Sequence, residues 1–371
     1  MATATIEDNG SMDIKGLFSV KKDSPSVEEQ PLMNGKLKPG FCCFGITDDC
    51  MLRCKMCQKW KGDDLIKRHA AATLEDWKRA AASLRTVVDK GFEIDIGGGE
   101  ALMVKWLWEL VKYCSGLGFK MAVASNAYLI DKEMAKRIAD SGLHSMILSL
   151  DSLQPEKHDF FRGVPGVYDG VMRAIELLHK YCPGLHVGIC SIIMDANLDE
   201  IIPLAHWVND DPRLKSILFM AAMQPNNTPV EEHWYKGGKL DFHWPKDTDK
   251  ALKVIEELIH LRNKGFFIGN SVQQLMAFQA YYRYPDRFVK IGQCNLNKGV
   301  HVSSIGDIFL CYRWDLLGNI KKDDLATILY SEAAENTRKK ILDCKDNCHF
   351  LLNCYFEGDY PFETGAVSAT P

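Results

Sequence analysis

No apolar run in this 371-residue chain approaches the roughly 18 residues that a membrane helix requires. The start, Met1 to Gly40, is polar and lacks the unbroken apolar stretch of a secretory signal. These absences argue against a membrane partner and against export, so a reducing cytoplasm is the expected location. Basic charge is not in excess either: 45 Lys and Arg stand against 49 Asp and Glu, a net charge of -4, which gives no surface for nucleic acid. What is plentiful is cysteine. Thirteen in a chain of otherwise ordinary composition need a reason, and in a reducing compartment clustered thiols more often bind metal than pair as disulfides.

The length suits one large α/β unit with a smaller appendage. Residues 1–39 lack periodicity and read as a loose leader, too short for a folded peptide-recognition domain. From Phe41 to Ala222, strand-like runs (Phe41 to Thr47, Phe92 to Ile96, Lys120 to Ser125, His144 to Leu150, His186 to Ile193, Ser216 to Ala222) alternate with helical patterns. One helix reads from Thr73 to Lys90, capped by Thr73 and Asp76 and ended by Gly91; another is capped by Asp131 and stops at Gly142. Six strand-helix units imply parallel strands and, being fewer than eight, a partial (β/α)6 TIM-like barrel with its site at the C-terminal strand ends. The expected organisation is a barrel core over 40–225, a helical connection over 226–290, a cysteine-rich β-hairpin and helix extension over 291–358, and a tail over 359–371.

The strongest chemical signal is Cys50-Met-Leu-Arg-Cys54-Lys-Met-Cys57, directly after the first strand. Three thiolates can hold a four-iron cluster and leave one iron open to a small molecule carrying an amine and a carboxylate. A zinc knuckle, the competing reading, wants a fourth ligand that is not obvious nearby. Later strand ends carry Gly98-Gly99-Glu100, Ser125-Asn126, and Ser149-Leu-Asp151 followed by Arg162-Gly163. By themselves a glycine-rich turn and a strand-end Ser-Asn are ordinary turns.

The CxxxCxxC spacing, with those segments in the same order, resembles the radical S-adenosylmethionine (radical SAM) superfamily over roughly Gly40 to Glu357. The resemblance implies a [4Fe-4S] cluster on Cys50, Cys54 and Cys57, with S-adenosylmethionine on its open iron. It further implies that Gly98, Gly99 and Glu100 receive the methionine amino group, that Ser149 meets the ribose or carboxylate, and that Arg162 in the Asp151 segment grips the carboxylate. Met56 stands where the family often has an aromatic, and can still cover adenine; Ser125 and Asn126 occupy a Thr-Asn-Gly position in which Ala127 replaces the glycine. Ala101 replaces a usual proline. A second group, Cys294, Cys311, Cys344, Cys348 and Cys354, with Gly306 five residues before Cys311 on a strand-like hairpin, resembles the SPASM extension or its shortened twitch form. It implies one auxiliary [4Fe-4S] cluster on four of the five; a structural zinc site is the alternative. Cys42, Cys43, Cys114, Cys182 and Cys190 read as core thiols.

The implied activity is reductive cleavage of S-adenosylmethionine to a 5′-deoxyadenosyl radical that abstracts hydrogen from a substrate carbon. The expected outcome is oxidative, dehydrogenation or crosslinking, on a small molecule or peptide, with a reduced flavodoxin or ferredoxin as electron source. Alternatives are an epimerase or a tetrapyrrole-modifying enzyme and, from another class, a non-catalytic iron–sulfur carrier or zinc-binding interaction protein. His349 reads as a ligand or a solvated loop residue. The stretch Met223 to Pro245 reads as a substrate-binding segment or a surface connection.

Overall fold

Six parallel strands give the chain its frame: β1 (Phe41–Thr47), β2 (Glu93–Gly98), β3 (Lys120–Ser125), β4 (Ser145–Ser149), β5 (His186–Ile193) and β6 (Ser216–Ala221). They pair in sequence order, each hydrogen-bonded to the next. The computed structural model describes residues 32–33, 36–57, 59–61, 70–224, 231, 233–238, 241–286, 289–290, 294–344, 350–353 and 362–363. On the free side of β1 a seventh strand, β7 (Gly299–Val302), pairs in parallel, followed by antiparallel β8 (Asp307–Phe309) and β9 (Gly318–Asn319). The nine-stranded sheet runs from β9 to β6 without closing, the open barrel that the strand count implied.

Helices cover the outer face. In β1, Cys42, Phe44 and Ile46 are buried and Phe44 packs on Trp77 of α1 (Leu74–Arg85) with ring centroids 5.0 Å apart. Alternation then turns Cys43, Gly45 and Thr47 to the inner face. The α1 N-terminus is a capping box: Thr73 N–H donates to Asp76 (2.8 Å), and the Asp76 N–H donates to the Thr73 hydroxyl. Its C-terminus departs from the sequence expectation. The helix stops at Arg85 rather than Lys90, because Thr86 and Val87 donate back to Ser83 and Leu84 in a tightened turn and Val87 and Val88 turn into the core. Gly91, with φ of 82°, ends this loop and not the helix. The next helices, α2 (Leu107–Gly116) and α3 (Lys132–Ser141), lie beside it; α3 is capped by Asp131 and ended by left-handed Gly142, as expected. After α4 (Pro155–Arg162), α5 (Val167–Tyr181) and α6 (Ile201–Asp210) complete the wrap.

The connection beyond β6 is not a plain surface segment in the part described. Trp234, Tyr235, His243 and Trp244 are buried and pack on one another, and Trp244 meets Tyr281 and Tyr282 of α8 (Val272–Arg283), which follows α7 (Thr248–Asn263). The Tyr281 hydroxyl donates to Ala222 O and the Tyr282 hydroxyl to Ile193 O, pinning the cluster to the ends of β5 and β6. Among the described residues no helix is long and apolar enough to cross a membrane.

Candidate iron–sulfur active site

The cysteine loop leaves β1 at Thr47 and is held from two sides. Gly99 N–H donates to Thr47 O (2.7 Å) and Glu100 N–H to Asp49 O (2.7 Å), joining it to the end of β2. Arg53 N–H donates to Arg162 O (3.2 Å) and Lys55 N–H to Phe161 O (2.9 Å), joining it to the end of α4. Glycine is required at these seams. A Cβ on Gly99 would stand 2.1 Å from Asp49 O, and one on Gly163, which is left-handed at φ 71°, would stand 2.2 Å from Arg53 O. Cys50, Cys54 and Cys57 are thereby presented, each half-buried, at the C-terminal mouth of the barrel.

Each sulfur already has a donor. Cys50 accepts from the Leu52 N–H, Cys54 from the Arg162 side chain, and Cys57 from the Lys59 N–H at 3.5 Å. Burial pushes the Cys50 thiol up to about 11 and raises Cys54, with Arg162 pulling the latter back. The thiols also feel one another's charge, so they are neighbours. Half-buried thiols that release their protons to a metal, each with a donor aimed at sulfur, fit a thiolate-bound cluster. Among the described residues no three His, Cys, Asp or Glu side chains are gathered for one metal ion.

The neighbouring segments are placed as follows. Glu100 is 1% exposed, and its carboxylate accepts from Ser125 Oγ (2.9 Å), Asn126 N–H (2.9 Å) and Leu102 N–H (3.1 Å). Burial raises its pKa against these donors. It ties β2 to β3, so what faces outward from the Gly98–Glu100 turn is backbone. Asn126 forms a turn through its own side chain, which accepts from Tyr128 N–H, and its amide reaches Met51 Sδ at 3.5 Å. Ala127 holds φ of 65°, the only positive value outside glycine among the described residues. Ser149 ends β4 half-buried on the inner face, and Met56 is half-buried in the loop.

Arg162 is engaged inside the protein: Nη2 pairs with Asp151 Oδ2 at 2.6 Å and the guanidinium bonds Cys54 sulfur. Asp151 is fully buried, accepting also from Ile192 N–H. Beside it His158 accepts from Asp151 N–H, and burial, with Arg162 adding to it, pushes its pKa down to about 3. Cys190, expected in the core, is instead half-buried on the inner face of β5, in register with Ser149 and within the field of Arg162; burial pushes it up to about 12. Cys43 is likewise half-buried and inward, in register with Asp95 of β2 and His301 of β7. Burial pushes Cys43 up to about 11, Asp95 up to about 7 and His301 down to about 4. Cys42, Cys114 and Cys182 are buried core thiols.

Two of the second cysteine group, Cys294 and Cys311, flank the start of β7. Cys294 precedes a 3-10 turn (Asn295–Lys298), against which α10 (Glu332–Leu342) packs after the short α9 (Leu325–Leu329); Arg338 Nε donates to Asn297 O at 3.1 Å. Cys344 follows α10 by two residues. Cys311 follows β8, and the preceding Leu310 O lies 3.0 Å from where a Gly299 Cβ would stand. Gly306 turns the hairpin at φ 90°. Cys294 and Cys311 are buried and Cys344 half-buried; Cys348, His349 and Cys354 lie outside the described residues. Buried Cys294 and Cys311 beside one turn suit thiolate ligation of a further cluster.

An open parallel barrel with a three-thiol loop at its mouth and a cysteine-bearing hairpin on its flank defines a class of iron–sulfur enzymes. Residues 45–208 match the model of the radical SAM superfamily and residues 294–355 that of the SPASM iron–sulfur cluster-binding domain. The chain thus carries a radical SAM domain followed by a SPASM extension. The domain implies a [4Fe-4S] cluster with S-adenosylmethionine, and the extension implies auxiliary iron–sulfur clusters. Among curated relatives, an AdoMet-dependent heme synthase of Oleidesulfovibrio alaskensis is 33% identical over 41% of this chain and 38% of its own length. Another, from Methanosarcina barkeri, is 26% identical over 81% of this chain and 84% of its own. The subtilosin biosynthesis protein AlbA of Bacillus subtilis is 28% identical over 86% and 68%. The chain thus spans well under half of the first relative's length. Solved structures share the fold: Streptococcus suis SuiB bound to S-adenosylmethionine (TM-score 0.61, 17% identity, 81% of this chain and 68% of that one) and anSMEcpe with bound AdoMet and a peptide (0.58, 17%, 85% and 87%).

Proposed function

We propose that this chain uses Cys50, Cys54 and Cys57 to hold the radical-generating cluster, uses four of Cys294, Cys311, Cys344, Cys348 and Cys354 to hold one auxiliary cluster, and oxidatively modifies a small molecule or peptide. The observation that carries this reading is the cysteine loop clamped between Gly99–Glu100 and Phe161–Gly163. When bound, the cluster and S-adenosylmethionine supply a 5′-deoxyadenosyl radical that takes a hydrogen atom from a substrate carbon. The chain's own residues bind and orient. The outward backbone of Gly98 and Gly99 approaches the amino-acid end of the nucleotide, Ser149 and Asn126 present polar edges on the inner face, and Met56 covers the adenine. Arg162, locked by Asp151, holds positive charge beside Cys54 and the carboxylate. Buried Trp234 and Trp244 close the far side of the mouth against water.

The auxiliary cluster favours an oxidative outcome, since it can accept the electron left on the substrate, the source of reductant being a flavodoxin or ferredoxin. A tetrapyrrole substrate is the second reading, favoured by the heme synthase match over 84% of that relative. Anaerobic reconstitution tests the assignment. About eight irons per chain and 5′-deoxyadenosine formed with dithionite are expected. Cys54→Ala should abolish that product and retain about four irons. Nucleotide cleavage that survives Cys54→Ala would overturn the reading, as would metal content with no cleavage in the parent.

A further inference from the structure

His301 stands out among the buried polar groups. It is 4% exposed, and neither ring nitrogen has a hydrogen-bond partner, although buried nitrogens are almost always partnered. Two other buried histidines are partnered: His158 accepts from Asp151 N–H, and His243 Nε2 meets Met223 O at 3.0 Å. Among the described residues only His301 lacks both. Aromatic carbon surrounds it, with Phe41 edge-on at 5.6 Å, Phe309 stacked at 6.2 Å and Tyr312 at 4.8 Å.

Its position supplies the missing partner. His301 lies two residues beyond Gly299 on the same face of β7, and opposite Phe309 of β8. Cys311 comes two residues after Phe309, a diagonal neighbour at ~7–8 Å between Cα atoms, which an imidazole and a thiol can bridge. Cys294 sits at the other end of the turn entering Gly299. We propose that His301 is a positioning residue for the auxiliary iron–sulfur group on Cys294 and Cys311, donating a ring N–H to its sulfur and raising its reduction potential. This rests on the auxiliary-cluster reading above. A neutral imidazole offers one N–H, and a hydrogen bond to cluster sulfur stabilises the more negative, reduced state.

The test uses the full chain with Cys50, Cys54 and Cys57 all changed to Ala, so that only the auxiliary group contributes. About four irons per chain are expected; none would overturn both the auxiliary reading and this inference. Given bound iron, His301→Phe should shift the midpoint potential to more negative values, and His301→Gln, which keeps an N–H, should restore it. An unchanged potential in His301→Phe would overturn the inference alone. A second readout needs no stable Phe variant: in protein labelled with 15N-histidine, pulsed electron paramagnetic resonance of the reduced cluster should show a nitrogen coupling that vanishes in His301→Gln. No such coupling, or one that persists in the Gln variant, would also overturn it.

Discussion

Single residues carry the site's tolerances. Gly99→Ala places a methyl where Asp49 O stands, so the cysteine loop must leave β2. Reconstituted Gly99→Ala should lose the iron of Cys50, Cys54 and Cys57 while the auxiliary iron stays, as iron analysis against the Cys54→Ala chain will show. Asp95 makes a second prediction. Burial raises its folded pKa to about 7 against an unfolded value of about 3.9, so between those values the folded state holds the extra proton. Stability from this group is therefore lost as pH rises from about 4 to about 7, by up to ~4 kcal/mol. Asp95→Asn should flatten that slope in urea titrations across the window; parallel slopes would contradict it. Such residues were half legible. Cys50, Cys54 and Cys57 announce themselves by spacing, but the Asp151–Arg162 ion pair and the turned-in Cys43, Cys190 and His301 do not, because a partner set by three-dimensional packing leaves no local signature.

At the level of elements, caps and punctuation read well where they act alone. Asp131 and Gly142 bound α3 as the sequence implied. Gly91 misled, since the Thr86–Val88 turn closes α1 first and glycine serves the loop after it. The α1 cap is nonetheless a real contributor: Thr73→Ala removes one half of the capping box and should lower stability by about 1 kcal/mol, visible as a lower thermal midpoint with no loss of bound iron. The pairing of β7 with β1 was not legible. More than 250 residues separate Phe41 from Gly299 in the chain, and parallel pairing at that distance is decided by which edge of the sheet is left free.

For the whole molecule, that pairing sets the spacing of the chemistry. Cys294 and Cys311 gather at the start of β1 through Gly299, while Cys50, Cys54 and Cys57 leave its end at Thr47. A seven-residue strand spans about 20 Å at ~3.3 Å per residue, so the length of β1 separates the end that carries Cys294 and Cys311 from the end that carries Cys50, Cys54 and Cys57. On the inner face of β2, Gly97 has nothing within 4 Å of where a Cβ would stand. The open barrel and its flank were legible from alternating strands and helices and from two cysteine groups. The substrate was not, because no local motif in the chain encodes it. The central claim is that the clamped loop leaves one iron to the amino-acid end of S-adenosylmethionine. Electron–nuclear double resonance of the dithionite-reduced chain, mixed with S-adenosylmethionine labelled at the amine with 15N and at the carboxylate with 17O, measures this directly. Couplings from both labels are predicted, lost in Cys54→Ala; a reduced cluster that binds the nucleotide and shows neither coupling would contradict the account.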